Sequence, residues 1–442
     1  MKRIRLVALS AAVLVALAGS TVVVGAQAAK QANKATEVGV TATEIHIAVI
    51  ADVNTPLAPG LFQGSVDAVR GFAKYINANG GLAGRKIVVD FIDSKMDANE
   101  ARNAMIKACS QDFAMVGTSA LFVDNVDDIV GCNDQAGQAV GIPDIPFTTT
   151  EVVHQCSPVS FPVTPPSLIC ATKDQHPQTY EANVGRGYFF QKKYGKDLHG
   201  IYVFSADLKS VKNAGIASTG AVTGIGIKSN ATFDISGSAP QSAYTPIVQA
   251  IKNKSSNYTI LTNGTFSMNV ELRKEAKLQG VSSVKVWDCT PACYDPQFLA
   301  QGGANVEGEY IAINQLPFEE ANSNKMLANF IKYTGKDKIT GFGADAWAAG
   351  VMLRDAVNAA VKQGGNNALT RKAVFDALGK MTAFNADGMI GTTNIAKHEV
   401  SPCFILLQVR GGKFVRVFPS KPGTFNCDSK NVIRQKLDLL GS

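Results

Sequence analysis

Charge is scarce in this chain: Asp, Glu, Lys and Arg make up only 18% of its 442 residues. The formal net charge is +7, and Lys2, Arg3 and Arg5 supply three of those charges. No dense Lys/Arg block interleaved with aromatics occurs, which argues against a nucleic-acid partner. Histidine is also sparse, and the five His do not cluster with the cysteines. No Cys-x-x-Cys pair exists, and Cys289 and Cys293 have three residues between them. No metal, redox centre or cofactor is therefore expected. The chain lacks a Gly-x-Ser-x-Gly elbow, a His-Glu-x-x-His pair and a phosphate-binding Walker loop. Gly224-Ile225-Gly226 is a lone fragment without a third glycine. The acidic pairs Asp127-Asp128 and Glu319-Glu320 are adjacent in sequence, so their side chains point apart, as on solvated surfaces. An enzyme is not expected. Beyond Gly25, no apolar run is long enough to span a bilayer.

What is present suits a large exported α/β protein. Hydrophobic residues reach 46%, enough for real cores. The length suits two lobes better than one. A basic start, Met1-Lys2-Arg3-Ile4-Arg5, precedes an apolar run from Leu6 to about Gly25. Ala26-Gln27-Ala28 then offers a small-x-small cleavage site, so residues 1–28 read as a signal peptide. An uncut anchor is the alternative. No cysteine lies near the cut, so no lipid attachment is expected there. Residues 29–43 are small and polar, a flexible leader. The eight cysteines, all downstream, suit disulfides in an exported chain. Many connectivities are open. Pairing neighbour with neighbour gives Cys109–Cys132, Cys156–Cys170, Cys289–Cys293 and Cys403–Cys427.

From Glu44 the pattern alternates between strand and helix. Ile45 to Ile50 is a buried-strand run, within which His46 reads as a strand residue rather than a ligand. Phe62, Val66, Val69, Phe72, Ala73 and Ile76 recur at helical spacing. Asn79-Gly80-Gly81 closes that helix. Ile87–Ile92 is the next strand, and Asp97 with Glu100 forms a capping box for another helix. Strand 113–116, helix 122–130 and a short strand near Ile145-Pro146-Phe147 follow. Residues 151–170 are Pro-rich and lie between two cysteines, an irregular loop. Strands then recur near 201–204, 231–235, 258–261, 284–287 and 310–313, with helices between them. Three helices follow, near 321–334, 344–362 and 370–380. Gly411-Gly412 marks an antiparallel hairpin, and a tail helix is expected near 430–440. Repeated βαβ units imply parallel sheets with helices on both faces.

Several segments resemble the type I periplasmic binding proteins, in the leucine/isoleucine/valine-binding branch. Asn77-Ala78-Asn79-Gly80-Gly81-Leu82-Ala83-Gly84-Arg85-Lys86-Ile87 is similar to the family's "INAAGGIxGRxI" segment. Asp97-Ala98-Asn99-Glu100-Ala101 resembles its "DP..A" helix start, and Val116-Gly117-Thr118-Ser119 its "GP.SS" turn. Gly141-Ile142-Pro143, Gly343-Ala344-Asp345-Ala346 and the hairpin Val409–Val417 also match, in order, over roughly 44–418. The resemblance implies two doubly wound parallel-sheet lobes joined by a three-strand hinge. Mapped here, lobe one is 44–165 plus 314–385, lobe two is 166–313 plus 386–420, and 421–442 is a C-terminal tail. It further implies a monomer that closes over a small polar ligand, an amino acid or a related molecule, and delivers it to a membrane ABC permease. A ligand-sensing receptor with the same clamshell is the alternative.

Parallel sheets bind ligands beyond the carboxyl ends of their strands. In lobe one that singles out Thr118, Ser119 and Ala120, where a helix start would offer backbone N–H groups to a carboxylate. A plain helix cap is the alternative for Ser119. Thr149 and Thr150 follow the next strand. In lobe two the strand ends offer Asp207, Thr265, Phe266 and Asp288. The resemblance implies that Asp207 or Asp288 would pair with a ligand ammonium, with Phe266 or Trp287 as walls. The sequence departs from the family's pattern at Gly117-Thr118 and near 264–267. It departs again at the Cys-bracketed loop after Asp288, and at Asp52-Val53-Asn54-Thr55-Pro56, which replaces a "GPLSG" turn.

Overall fold

The computed structural model describes residues 32–55 and 58–441. The signal-peptide reading of residues 1–28 lies outside the described residues. The first half of the chain alternates β1 (Glu44–Ala51), α1 (Gln63–Ala78), β2 (Lys86–Asp93), α2 (Ala98–Gln111), β3 (Ala114–Val116), α3 (Asp127–Val130), β4 (Asp144–Ile145) and α4 (Val152–Gln155). These strands make one parallel sheet in the order β2-β1-β3-β4. Every residue of β1 from Ile47 to Ala51 is buried, as expected for a parallel strand covered on both faces.

A second alternation follows: β5 (Gln178–Asn183), α5 (Gly185–Tyr194), β6 (His199–Ser205), α6 (Lys209–Gly224), β7 (Lys228–Ile235), α7 (Thr245–Asn253), β8 (Tyr258–Thr262), α8 (Phe266–Leu278), β9 (Val286–Cys289), α9 (Pro296–Gly302) and β10 (Tyr310–Ile313). The chain then forms α10 (Lys325–Thr334), α11 (Gly341–Gly364) and α12 (Arg371–Leu378), and ends with β11 (Ile405–Arg410), β12 (Lys413–Phe418) and β13 (Val432–Leu437). The second sheet runs β12-β11-β10-β9-β8-β6-β7, parallel except where β11 meets β10 and β12. The hairpin turns at Gly411 and Gly412, whose φ angles of 57° and 69° suit a two-residue turn.

Helices α10 and α11 return to the first sheet and pack against α1. The buried stripe of α1, including Val66, Val69, Phe72 and Ile76, meets the nearly all-buried first half of α11. Close approach depends on Gly350, where an added Cβ would lie 2.5 Å from the Phe72 ring. Trp347, wholly buried, fills the seam edge-on to Phe72. The Asp97 carboxylate caps α2 by accepting from the N–H groups of Asn99 and Glu100, while Glu100 turns away to Lys95.

Disulfides join Cys109–Cys132, Cys156–Cys170, Cys289–Cys293 and Cys403–Cys427.

Three segments differ from the sequence expectations. Residues 33–43, expected to be a flexible leader, are pinned to the first sheet. The buried Glu37 carboxylate accepts from the N–H groups of Gln135 and Arg371. The Arg85 guanidinium donates to the carbonyls of Lys34, Thr41 and Asn366. The helix expected over 122–130 shrinks to the single turn Asp127–Val130. The expected tail helix is instead β13, paired antiparallel with β5. Its Ile433 packs with Ala182, Val184 and Ala221, and its Leu437 with Leu168, Tyr180 and Ala217.

Candidate ligand-binding site

The carboxyl ends of strands from both sheets converge on a cavity of about 230 Å³. Residues 147–150, just after β4, line one side. Ser205 and Asp207 at the end of β6, and Asn263 to Thr265 after β8, line the other. The wall is mainly apolar. Phe62, Phe147 and Phe342 form a three-ring cluster with centroids 5.3–5.6 Å apart. Leu121, Leu208, Val211 and Met268 extend it.

Four of the residues singled out by sequence lie in this wall: Thr149, Thr150, Asp207 and Thr265. The Thr149 hydroxyl is buried with no hydrogen-bond partner among the described residues. A buried hydroxyl of this kind is costly unless something else pairs with it. Thr150 is already committed, donating to the Leu121 carbonyl at 2.9 Å. Thr265 caps α8 and shares a 2.7 Å contact with Ser267. Asp207 is half-buried and accepts from the Ser236 hydroxyl and the Gly237 N–H, each at 2.6 Å. It is the sole ionisable side chain among the described residues of the wall.

The other sequence candidates lie elsewhere. Thr118, Ser119 and Ala120 are at most 1% exposed and do not line the cavity. No helix starts beside them; Ser119 instead prolongs β3 by bridging to Ala51 of β1. The Thr118 hydroxyl donates to Asp144 at 2.7 Å, and His154 and Ser160 converge on that same buried carboxylate. Just beyond them, the next backbone amide, that of Leu121, is held by an internal carboxylate. Asp52 accepts from Leu121 N–H at 2.8 Å, from Met96 N–H at 2.7 Å and from the Ser94 hydroxyl at 2.6 Å. Burial raises the Asp52 pKa above the ordinary carboxylate value, and these hydrogen bonds oppose that rise.

Asp288 also lies outside the cavity wall. It is 1% exposed and accepts from Arg186 Nε at 2.8 Å and from the Tyr258 hydroxyl at 2.6 Å. Burial, reinforced by the Asp288 charge, pushes the Tyr258 hydroxyl well above its usual range. Phe266 packs against the main core, and Trp287 lies 4.5 Å from the Arg273 guanidinium rather than at the cavity.

Sequence reasoning missed the aromatic wall. Phe62 was readable only as part of a helix face, although it lies just before α1. Phe147 directly follows the short strand near 145, and Phe342 directly follows a helix cap, Thr340 and Gly341. The place of these rings at element ends was the available signal.

A family model described as periplasmic binding protein matches residues 44–413. No curated protein matches the sequence. Solved structures similar in fold include a fatty acid ABC transporter substrate-binding protein from Thermomonospora curvata, 16% identical, covering 88% of this chain and 97% of its own, with TM-score 0.65. A leucine-binding protein from Thermotoga maritima is 18% identical, covers 84% and 97%, and has TM-score 0.61. A putative branched-chain amino acid ABC transporter protein from Rhodospirillum rubrum is 17% identical, covers 85% and 99%, and has TM-score 0.56.

Proposed function

Because the chain belongs to the type I periplasmic binding proteins, we propose that it is an exported, non-catalytic solute-binding protein that captures a small molecule in this cavity and delivers it to an ABC importer. The observation that carries the reading is the cavity itself, lined by strand ends of both sheets. No helix among the described residues is long and apolar enough to cross a membrane. A ligand touching both walls favours the closed arrangement of the two halves, because half of its contacts exist only there.

The lining narrows the expected small polar ligand. No Lys, Arg or His is among the described residues of the wall, so a ligand carboxylate meets only neutral donors. A free amino acid would also find the Leu121 amide occupied by Asp52. A compact body flanked by Phe62, Phe147 and Phe342, with an amine end toward Asp207 and a polar atom near Thr149, answers the lining better. The ligand class is therefore an arylalkyl or branched alkyl amine, or its neutral amide.

The test is a thermal-shift and calorimetric series on one body with three heads, for example phenethylamine, phenylacetamide and phenylacetate. The reading expects binding in the order amine, amide, acid, without turnover of any of them. At ligand about 100-fold above Kd the stabilisation is nearly 3 kcal/mol. Preference for the acid would overturn the head-group reading. Silence across a broad panel of amines, amides and acids would overturn capture in this cavity.

A further inference from the structure

Outside the cavity wall, on the first sheet, three side chains from neighbouring positions converge. His46 of β1, Asp90 of β2 and Asp112, two residues before β3, each place a ligand atom within 4.8 Å of the other two. None of the three lines the cavity. It is therefore independent of the ligand-binding reading.

Asp112 is the unusual member. Its side chain is wholly buried, and neither carboxylate oxygen has a hydrogen-bond partner among the described residues. The nearby Arg371 guanidinium makes no hydrogen bond to that carboxylate: its Nη groups donate to the carbonyls of Cys109, Asp112 and Asn133, and its Nε has no partner among the described residues. Burial, with the Asp90 charge added, pushes the Asp112 carboxyl up to about 8. The imidazole is already oriented. Its Nδ1 lies 3.2 Å from an Asp90 oxygen, and its Nε2 lies 3.4 Å from a Glu44 oxygen.

We propose that His46 Nδ1 and one oxygen each from Asp90 and Asp112 bind a single divalent cation of the zinc class. Glu44 accepts the Nε2 proton and holds the ring in its ligating tautomer, the usual carboxylate support for a metal-bound imidazole. One nitrogen and two oxygens on one side of the ion leave further positions for water. Zinc and its transition-metal neighbours accept such mixed donors, whereas magnesium and calcium prefer all-oxygen shells. The ion would tie β2, β1 and the approach to β3 together at the foot of the sheet.

The experiment is calorimetric titration of the full chain, freed of metal, with zinc chloride and separately with magnesium chloride. One zinc per chain is expected, with magnesium far weaker. His46→Gln and Asp90→Asn, both at partly exposed side chains, are each expected to weaken zinc by at least about tenfold. His176→Gln, at a histidine paired instead with Asp438, is expected to leave zinc binding unchanged. Absence of zinc binding, or unaltered affinity in both His46→Gln and Asp90→Asn, would overturn the site. Equal affinity for magnesium would overturn the assignment to the zinc class.

Discussion

The Asp52 carboxylate accepts the backbone N–H of Leu121 across 2.8 Å of buried space. An internal anion thus occupies the amide next to the segment, Thr118 to Ala120, that the sequence singled out for a ligand carboxylate. With three donors converging on Asp52, Asp52→Ala leaves them unpaired in a closed space. The expected loss is about 3 kcal/mol of stability, because each orphaned buried donor costs about 1–3 kcal/mol before relaxation. Asp52→Asn keeps one acceptor and is expected to lose less. Urea denaturation of both variants checks the order; a loss below about 0.5 kcal/mol in Asp52→Ala would remove this role.

The cavity separates two kinds of polar contact. Thr149 offers a spare hydroxyl and Asp207 a charge. Thr149→Val keeps the shape and removes one hydrogen bond, worth about 1 kcal/mol or roughly fivefold in Kd. Asp207→Asn removes the charge and is expected to cost an amine ligand about tenfold or more, while sparing its neutral amide. Calorimetry with the amine and amide pair reads both. Equal losses for the two heads in Asp207→Asn would mean that the ligand's charge does not face Asp207.

The parallel sheets were legible from residue order because buried strand runs such as Ile45–Ile50 and helical stripes such as Val66-Val69-Phe72-Ile76 have different periods. The hairpin at Gly411-Gly412 was legible because its turn needs positive φ. The site was only partly legible. Thr149 and Asp207 follow strands, and both lie in the cavity wall. Ser119 also follows a strand, yet its backbone pairs with Ile50 and Asp52, some seventy residues earlier, and no local pattern carries that contact. Asp288 is engaged in the same non-local way: its partners Arg186 and Tyr258 come from α5 and β8.

Asp345 predicts a pH dependence. It is 5% exposed, accepts from Asn314 Nδ2 at 3.1 Å, and burial pushes its pKa up to about 7. The folded protein then holds a proton that the unfolded chain releases near pH 4. Its contribution to stability is full below that pH and is lost as pH rises through about 7. Asp345→Asn keeps the shape without the ionisation. It is expected to be more stable than the native chain at pH 8, by at most about 4 kcal/mol, and no more stable at pH 4. Glu309 and Asp112, raised to about 7 and about 8, act in the same direction, so a smaller slope remains. Thermal unfolding between pH 4 and 8 in metal-free buffer checks it; parallel curves for the two proteins would exclude Asp345 as the source.

The C-terminal strand gives a prediction that separates two readings of one pattern. Ile433, Leu437 and Leu440 recur at a spacing that also suits the helix expected near 430–440. Ile433 and Leu437 also share a face at period two, and Gln435 between them decides the matter. In a helix Gln435 points away from both. In β13 it points the same way as they do, and its Nε2 donates to the Ala217 carbonyl inside α6. Arg434 and Lys436 point outward on the other face. Gln435→Ala is therefore expected to cost about 1 kcal/mol, and Lys436→Ala less than about 0.5 kcal/mol. Ile433→Ala is expected to cost about 1–2 kcal/mol, below the range for fully buried isoleucines because this one is half-buried. Equilibrium unfolding of the three variants measures the pattern. A neutral Gln435→Ala beside a costly Ile433→Ala would restore the helical reading and detach the tail from β5.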